Sequence, residues 1–248
     1  MKITGLVLTL NEMFYIRASL HNATRHCHHV IVLDGGSTDG TEKYLAEVAE
    51  KDSRVTYISK PQKVRRMYDD SWDQSGRLNL LIDMSSTDWV FLLGADECLS
   101  DSANLSTLAL SGLSSAYRFP RYSLFSRKAY APTWFPDSQL RLFDRTAYNG
   151  VRFPDGINRH CLPTSDMGDG ETIPAHVVDD YLVHYHHGFG PKKCRPGPGM
   201  ELAPIPRNFK HSTDAQTWML DREYWPEDFR YEFGLYGNLP GRTGDYKK

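Results

Sequence analysis

Three stretches in the first hundred residues are apolar almost without interruption: ITGLVLTL at 3 to 10, VIVLD at 30 to 34 and WVFLL at 89 to 93. Each is short and near-continuously hydrophobic, the first two with several β-branched residues, which fits strands covered on both faces. VTYIS, at 55 to 59, reads as a weaker fourth strand. Between the strands, residues 13 to 22 and 40 to 51 have helical composition, the second with Tyr44, Leu45 and Val48 spaced for one buried face, and 73 to 84 read as a third helix. The order β-α-β-α-β-α-β predicts an α/β fold with a mostly parallel sheet, right-handed crossovers and helices on both faces. Ligands of such sheets bind beyond the carboxyl ends of the strands. That rule selects Thr9 to Glu12, Asp34 to Thr41, the loop after Ser59, and Gly94 to Glu97.

From about residue 115 the texture changes. Short strand candidates such as AYRFP and QLRLFD alternate with aromatics and turn residues, which predicts an α+β continuation packed on the first half. Beyond Gly188 the chain turns rich in proline and glycine (GFGPKKCRPGPGMELAPIP) and reads as an irregular arm. Residues 211 to 235, with Trp218, Trp225, Phe229 and Tyr231, are expected to form a helix that packs back. The expected division is therefore 1–187, with halves 1–100 and 101–187, and an extension over 188–248. No internal repeat is evident.

The 248 residues can bury a substantial core. Twenty-nine basic against thirty-one acidic residues give a net charge of −2, so the overall positive footprint of a nucleic-acid binder is missing. The N-terminal apolar run is broken by Asn11 and Glu12 with no cleavage site after it, and no apolar stretch is long enough to span a bilayer; a cytoplasmic location is expected. Contact with a membrane surface stays open, since Lys192, Lys193 and Arg195 form a small basic spot. Cys27, Cys98, Cys161 and Cys194 lack a CxxC spacing and are expected to be reduced thiols. Asn22 and Asn104 begin glycosylation sequons, read as chance. Ten histidines include two groups, His26, His28, His29 and His184, His186, His187. The first group lies away from the selected strand ends and reads as surface or packing.

The chemistry concentrates in three segments. In LDGGSTDGT (33 to 41) a strand ends on Asp34, two glycines permit a tight turn, and Ser37 to Asp39 can cap the next helix. A well-made β-to-α turn explains the glycines and the caps. An acid at the strand end can also accept hydrogen bonds from a ribose hydroxyl or a base. At Thr9-Leu10-Asn11-Glu12 there is no GxGxxG, which argues against a dinucleotide oxidoreductase; Glu12 reads equally as a helix cap. In VFLLGADECLS a buried strand stops on two adjacent carboxylates, Asp96 and Glu97.

TLNE (9 to 12), LDGGSTDGT, Asn79 followed by DWVFLLGADE (88 to 97), and QLRLFDR (139 to 145) together resemble the family 2 glycosyltransferases of GT-A fold, closest to the lipopolysaccharide-core branch. The resemblance covers roughly residues 3 to 187. It implies transfer of a sugar, with inversion, from a nucleotide-diphosphate sugar, a UDP-sugar by preference, to a glycan or glycolipid acceptor. It further implies that Asp34 contacts uracil or ribose, and that Thr9, Leu10, Asn11 and Glu12 line the nucleoside pocket. Asp96 corresponds to the second acid of the family's D-x-D, which holds a divalent cation, manganese or magnesium, and His184 completes that metal site. Gly94 stands where the family has its first acid, with Ala95 between; Glu97 is the nearest compensating carboxylate.

A hard cation on carboxylate oxygens stabilises the diphosphate as it leaves. Arg65 and Arg66 can add positive charge to the donor site, with a solvated basic loop as the alternative; Gln139 and Arg141 can orient donor or acceptor. An inverting transfer needs a base for the acceptor hydroxyl. Asp137 ranks first, with Asp155 and Glu97 as alternatives. Tyr122, Phe125, Trp134 and Phe135 read as core more readily than as a sugar-stacking wall. Two rival functions remain: an inactive GT-A domain that binds a glycan or a protein, and a nucleotidyltransferase, which would need a glycine-rich loop where TLNE stands.

Overall fold

The computed structural model describes residues 1–62, 73–147, 150–153, 164–165, 173–185 and 201–220. Arg65, Arg66, Asp155, His186 and His187 lie outside these residues, as do 188–200 and everything beyond 220. The first half runs β1 (Ile3–Thr9), α1 (Met13–His26), β2 (His29–Asp34), α2 (Thr41–Lys51), β3 (Val55–Ser59), α3 (Gln74–Met84), β4 (Trp89–Gly94). The second continues with β5 (Glu97–Leu99), α4 (Leu105–Leu110), β6 (Ala116–Phe119), β7 (Arg121–Ser126), β8 (Ala129–Tyr130), β9 (Gln139–Asp144) and β10 (Val151–Arg152). The short strands β11 (Thr164–Ser165), β12 (His176–Val177), β13 (Leu182–His184) and β14 (Ala203–Pro204) follow.

A seven-stranded sheet has the order β12-β6-β9-β4-β1-β2-β3. Its β3-β2-β1-β4 part is parallel throughout, as the alternation of strands and helices requires. β9 enters antiparallel beside β4, and β6 pairs antiparallel with it, which makes the sheet mixed. The α/β fold class expected from the sequence is the one found.

Burial explains the unbroken apolar strands. Ile3 and Val7 of β1 join Ile16 and Leu20 of α1 and Leu45 of α2 in one core. Leu6 between them points the other way, into a second core with Leu78, Leu81 and Ile82 of α3. Successive strand residues face opposite sides, so both must be apolar when helices cover both. α1 runs four residues beyond the expected 22, because Ala23 continues its buried face.

A second sheet, β14-β8-β7-β13-β5, lies against the first half through a third core that includes Phe14, Tyr15, Cys98, Leu124 and Tyr185. The described part of the C-terminal arm belongs to this layer: β14 pairs with β8, and a helical turn at Thr213–Ala215 contributes Ala215 to the core. A π-helical turn over Gln216–Leu220 follows, in place of the regular helix expected there. Cys27 and Cys98 are buried free thiols. Asn22 is fully buried, donating to the Leu99 carbonyl at 3.0 Å and accepting from the Leu99 N–H at 2.7 Å, which closes that sequon to glycosylation. Tyr122 and Phe135 stack at 4.2 Å within an aromatic seam that includes Phe209 of the arm, so their packing is internal.

Candidate functional site

Strand register brings the selected segments to one edge. Thr9 sits opposite Asp34 on β2, and Leu8 sits opposite Gly94 on β4. With β1 between them, the ends of β2 and β4 lie two strand spacings apart, about 10 Å.

The loops after β1 and β2 are sewn together. Asn11 takes a left-handed backbone (φ 55°), tolerable for asparagine, and its side chain accepts from the Thr38 N–H at 2.8 Å. Ser37 donates its hydroxyl to Asp34 at 2.5 Å and accepts from the Asn11 N–H at 2.7 Å. The second Asp34 oxygen accepts from the Ser37 N–H at 3.0 Å. Asp39, not Ser37, does the capping: its carboxylate takes the Thr41 N–H at 3.0 Å and, across the gap, the Met13 N–H at 3.0 Å, so one acid serves the first turns of α1 and α2. Glu12 occupies the N-cap position of α1 without a side-chain cap bond. Asp34, expected to contact a nucleoside, is fully buried and has both oxygens engaged within its own turn. Its demonstrable work is to shape the loop. Beside that loop an open hollow of about 450 Å³ is lined by Ser37, Thr38, Lys43 and Tyr57 among others.

The carboxylates that end β4 part company. Ala95 packs into the core, and Asp96 approaches His184 of β13, with Oδ2 and Nε2 3.1 Å apart. β13 is fixed there by the Tyr185 N–H to Asp96 carbonyl bond at 3.0 Å and by the His184–Glu97 register. Ser123 lies 3.5 Å from the other imidazole nitrogen. One carboxylate oxygen and one imidazole suit a borderline-hard divalent ion, provided that ligand phosphate and water supply the remaining positions. Among the described residues no three His, Cys, Asp or Glu side chains converge as a metal site.

Glu97 turns inward. Its carboxylate accepts from Arg121 at 2.9 Å, from Arg141 at 2.8 and 2.9 Å, and from the Gly94 N–H at 3.0 Å. Burial pushes the carboxyl pKa up, but Arg141 and Arg121 outweigh it and hold the group down to about 2. A carboxylate so weakly basic, with a side chain only 2% exposed, is not the proton acceptor proposed as an alternative. Nor does Glu97 stand in as a metal ligand for the missing acid. It does crowd position 94, where a Cβ would lie 3.0 Å from the Glu97 carboxyl and 3.1 Å from Asp96 Oδ1, so that these side chains would have to give by a few tenths of an ångström.

Asp137 accepts from Arg121 through Nε at 3.0 Å and through Nη2, and from Gln139 at 2.6 Å. Its side chain is 34% exposed. Gln139 and Arg141 are thus spent on carboxylates of this network. Arg121, which the sequence reading passed over, is its hub; a charged residue between the apolar runs of AYRFPRYSLF was the available signal.

Asn79 is not in the site. Its amide bridges the backbone of Phe153, donating at 2.9 Å and accepting at 2.8 Å, which ties α3 to the segment after β10. We expect Asn79→Ala to lower stability by about 1–3 kcal/mol, the cost of orphaning two backbone groups. Nucleotide affinity should stay within twofold; a larger change measured by calorimetry would return Asn79 to the site. Arg77 donates to the Lys60 carbonyl at 2.7 Å.

A mixed α/β sheet, with acid-bearing turns along the carboxyl edge of its parallel half, is the class of protein that this structure defines. Residues 6–110 match the family model described as Glycosyl transferase family 2, so the resemblance carried by the motifs is shown over that segment. A lipopolysaccharide core biosynthesis glycosyltransferase from Rhizobium meliloti is 27% identical over 97 residues, 39% of this chain and 32% of that protein. Among solved structures, a mannosyltransferase from Pyrobaculum calidifontis in complex with GDP-Man and Mn2+ is 17% identical, covering 75% of this chain and 57% of that one, with a TM-score of 0.49. TarS 1–349 of S. aureus is 16% identical, covering 62% and 50% respectively, with a TM-score of 0.44. The chain spans about a third of the curated relative's length.

Proposed function

We propose that the protein is a glycosyltransferase that moves a sugar from a nucleotide-diphosphate donor, a UDP-sugar by preference, to a glycan or glycolipid acceptor with inversion. The observation that carries this reading is the Asp96–His184 pair, 3.1 Å apart at the carboxyl edge of the sheet, with Asp96 inside the family-matching segment. The two side chains would hold a manganese or magnesium ion, which when bound supplies positive charge to the departing diphosphate. Thr9, Leu10 and the loop from Asp34 to Thr41 would receive the nucleoside. Arg121 and Arg141 add fixed positive charge beneath the Gly94–Glu97 turn and keep Glu97 ionised. Of the described acids considered as base, Asp137 retains the role, since its carboxylate reaches solvent and that of Glu97 does not. The division at 187/188 is part of the same proposal, with the extension bracing the acceptor half through β14 and β8.

Gly94 supports a second reading, a domain that has lost transfer and binds a glycan or a protein. Incubation with a panel of nucleotide sugars and Mn2+ separates the two, because an active enzyme slowly hydrolyses its donor without acceptor. Calorimetry should show UDP binding strengthened at least tenfold by Mn2+. Failure of every nucleotide to bind, with or without the ion, would overturn the proposal.

A further inference from the structure

At the carboxyl edge of the sheet the hydroxyl of buried Thr9, and both the oxygen and the nitrogen of the amide of half-buried Gln62, are buried polar atoms that find no partner among the described residues. Buried polar groups are nearly always satisfied, so a glutamine that lacks a partner for donor and acceptor alike calls for an occupant.

The backbone around Gln62 places it firmly. The Lys60 N–H donates to the Asp34 carbonyl at 2.9 Å and the Gln62 N–H to the Gly35 carbonyl at 3.0 Å, so residues 60–62 follow the exit of β2. The Gly35 N–H in turn donates to the Thr9 carbonyl at 2.9 Å, which joins all three segments at one edge of the sheet. The glycine pair is what permits the approach. Gly36, at φ 93°, lies against Pro61, where a Cβ would come within 3.1 Å. A Cβ on Gly35 would have the Gln62 amide oxygen 3.5 Å away and Leu10 at 3.3 Å. The bland account of the Gly-Gly turn leaves unexplained why the residue laid across it should carry an unpaired amide.

We propose that Gln62 reads the base of the bound nucleotide, its amide oxygen accepting from and its amide nitrogen donating to the polar edge of the heterocycle. The inference rests on the nucleotide-sugar reading and adds to it a residue that determines base selectivity. Uracil offers a matching pair in its N3–H donor and the adjacent carbonyl acceptor. Guanine offers N1–H and O6, with a further donor in its 2-amino group. A carboxylate at position 62 has acceptors only. It therefore suits guanine, which can present two donors side by side, and no longer suits uracil.

The test is calorimetry of UDP and GDP against the unmodified chain, Gln62→Leu and Gln62→Glu, alongside thermal melts without nucleotide. Gln62→Leu should weaken UDP at least tenfold, and the melt should hold or rise, because an apolar side chain relieves the unpaired amide. Gln62→Glu should shift the GDP-to-UDP affinity ratio at least tenfold toward GDP. If the unmodified chain binds UDP and neither variant changes affinity or ratio, a trapped water satisfies the amide and the inference is overturned alone. If no nucleotide binds the unmodified chain, the functional proposal fails and takes this inference with it.

Discussion

Replacing Glu97 with alanine is expected to lower the free energy of unfolding by about 3–5 kcal/mol, since removing one member of a buried ion pair strands the charge of the others. Arg141 would lose its carboxylate, Arg121 would keep only Asp137, and the Gly94 N–H would lose its acceptor. Urea denaturation measures the loss, and a change below about 1 kcal/mol, the worth of an exposed pair, would mean that the network does not hold the sheets together. The same group predicts a pH dependence. Its carboxyl pKa falls from 4.5 to about 2 on folding. A depressed folded value gives stability that is complete above the unfolded value and is lost as pH falls toward the folded one, so the decline belongs between about pH 4.5 and 2. Its size is about 3 kcal/mol, from 1.36 kcal/mol per pKa unit. Glu97→Gln should flatten the decline.

Asp96→Ala should act in the opposite way, on ligand and not on fold. Its side chain is 18% exposed and its partner His184 13%, so thermal stability should shift by only a few degrees. Mn2+-supported binding of UDP should fall at least about a hundredfold, beyond the 10–100-fold typical of residues that merely orient a metal ligand. His184→Ala should produce a similar loss, and the double variant little more than either, because two ligands of one ion act as a unit. Retention of Mn2+-dependent binding in Asp96→Ala would remove this acid from the site.

The parallel half of the sheet was legible to within a few residues, because strands covered on both faces leave short unbroken apolar runs, and their brevity and the alternation with helical segments separate them from buried helices. QLRLFD likewise marked β9 correctly. The chemistry was less legible, and for one reason: a carboxylate in a motif carries no mark of what it will bond. Asp34 and Asp39 look alike in LDGGSTDGT, yet one shapes its own turn and the other caps two helices. Adjacent Asp96 and Glu97 face opposite fates because β5 begins at Glu97 and turns successive side chains to opposite sides. Gln62 could not have been singled out, since an amide lacking partners exists only once the chain is folded.

The carboxyl group wedged beside Gly94 makes positions 94 and 97 an epistatic pair. A side chain installed at 94 would have to push the Glu97 carboxyl by a few tenths of an ångström against the two arginines that hold it, so the cost of a substitution at 94 should depend on which residue stands at 97.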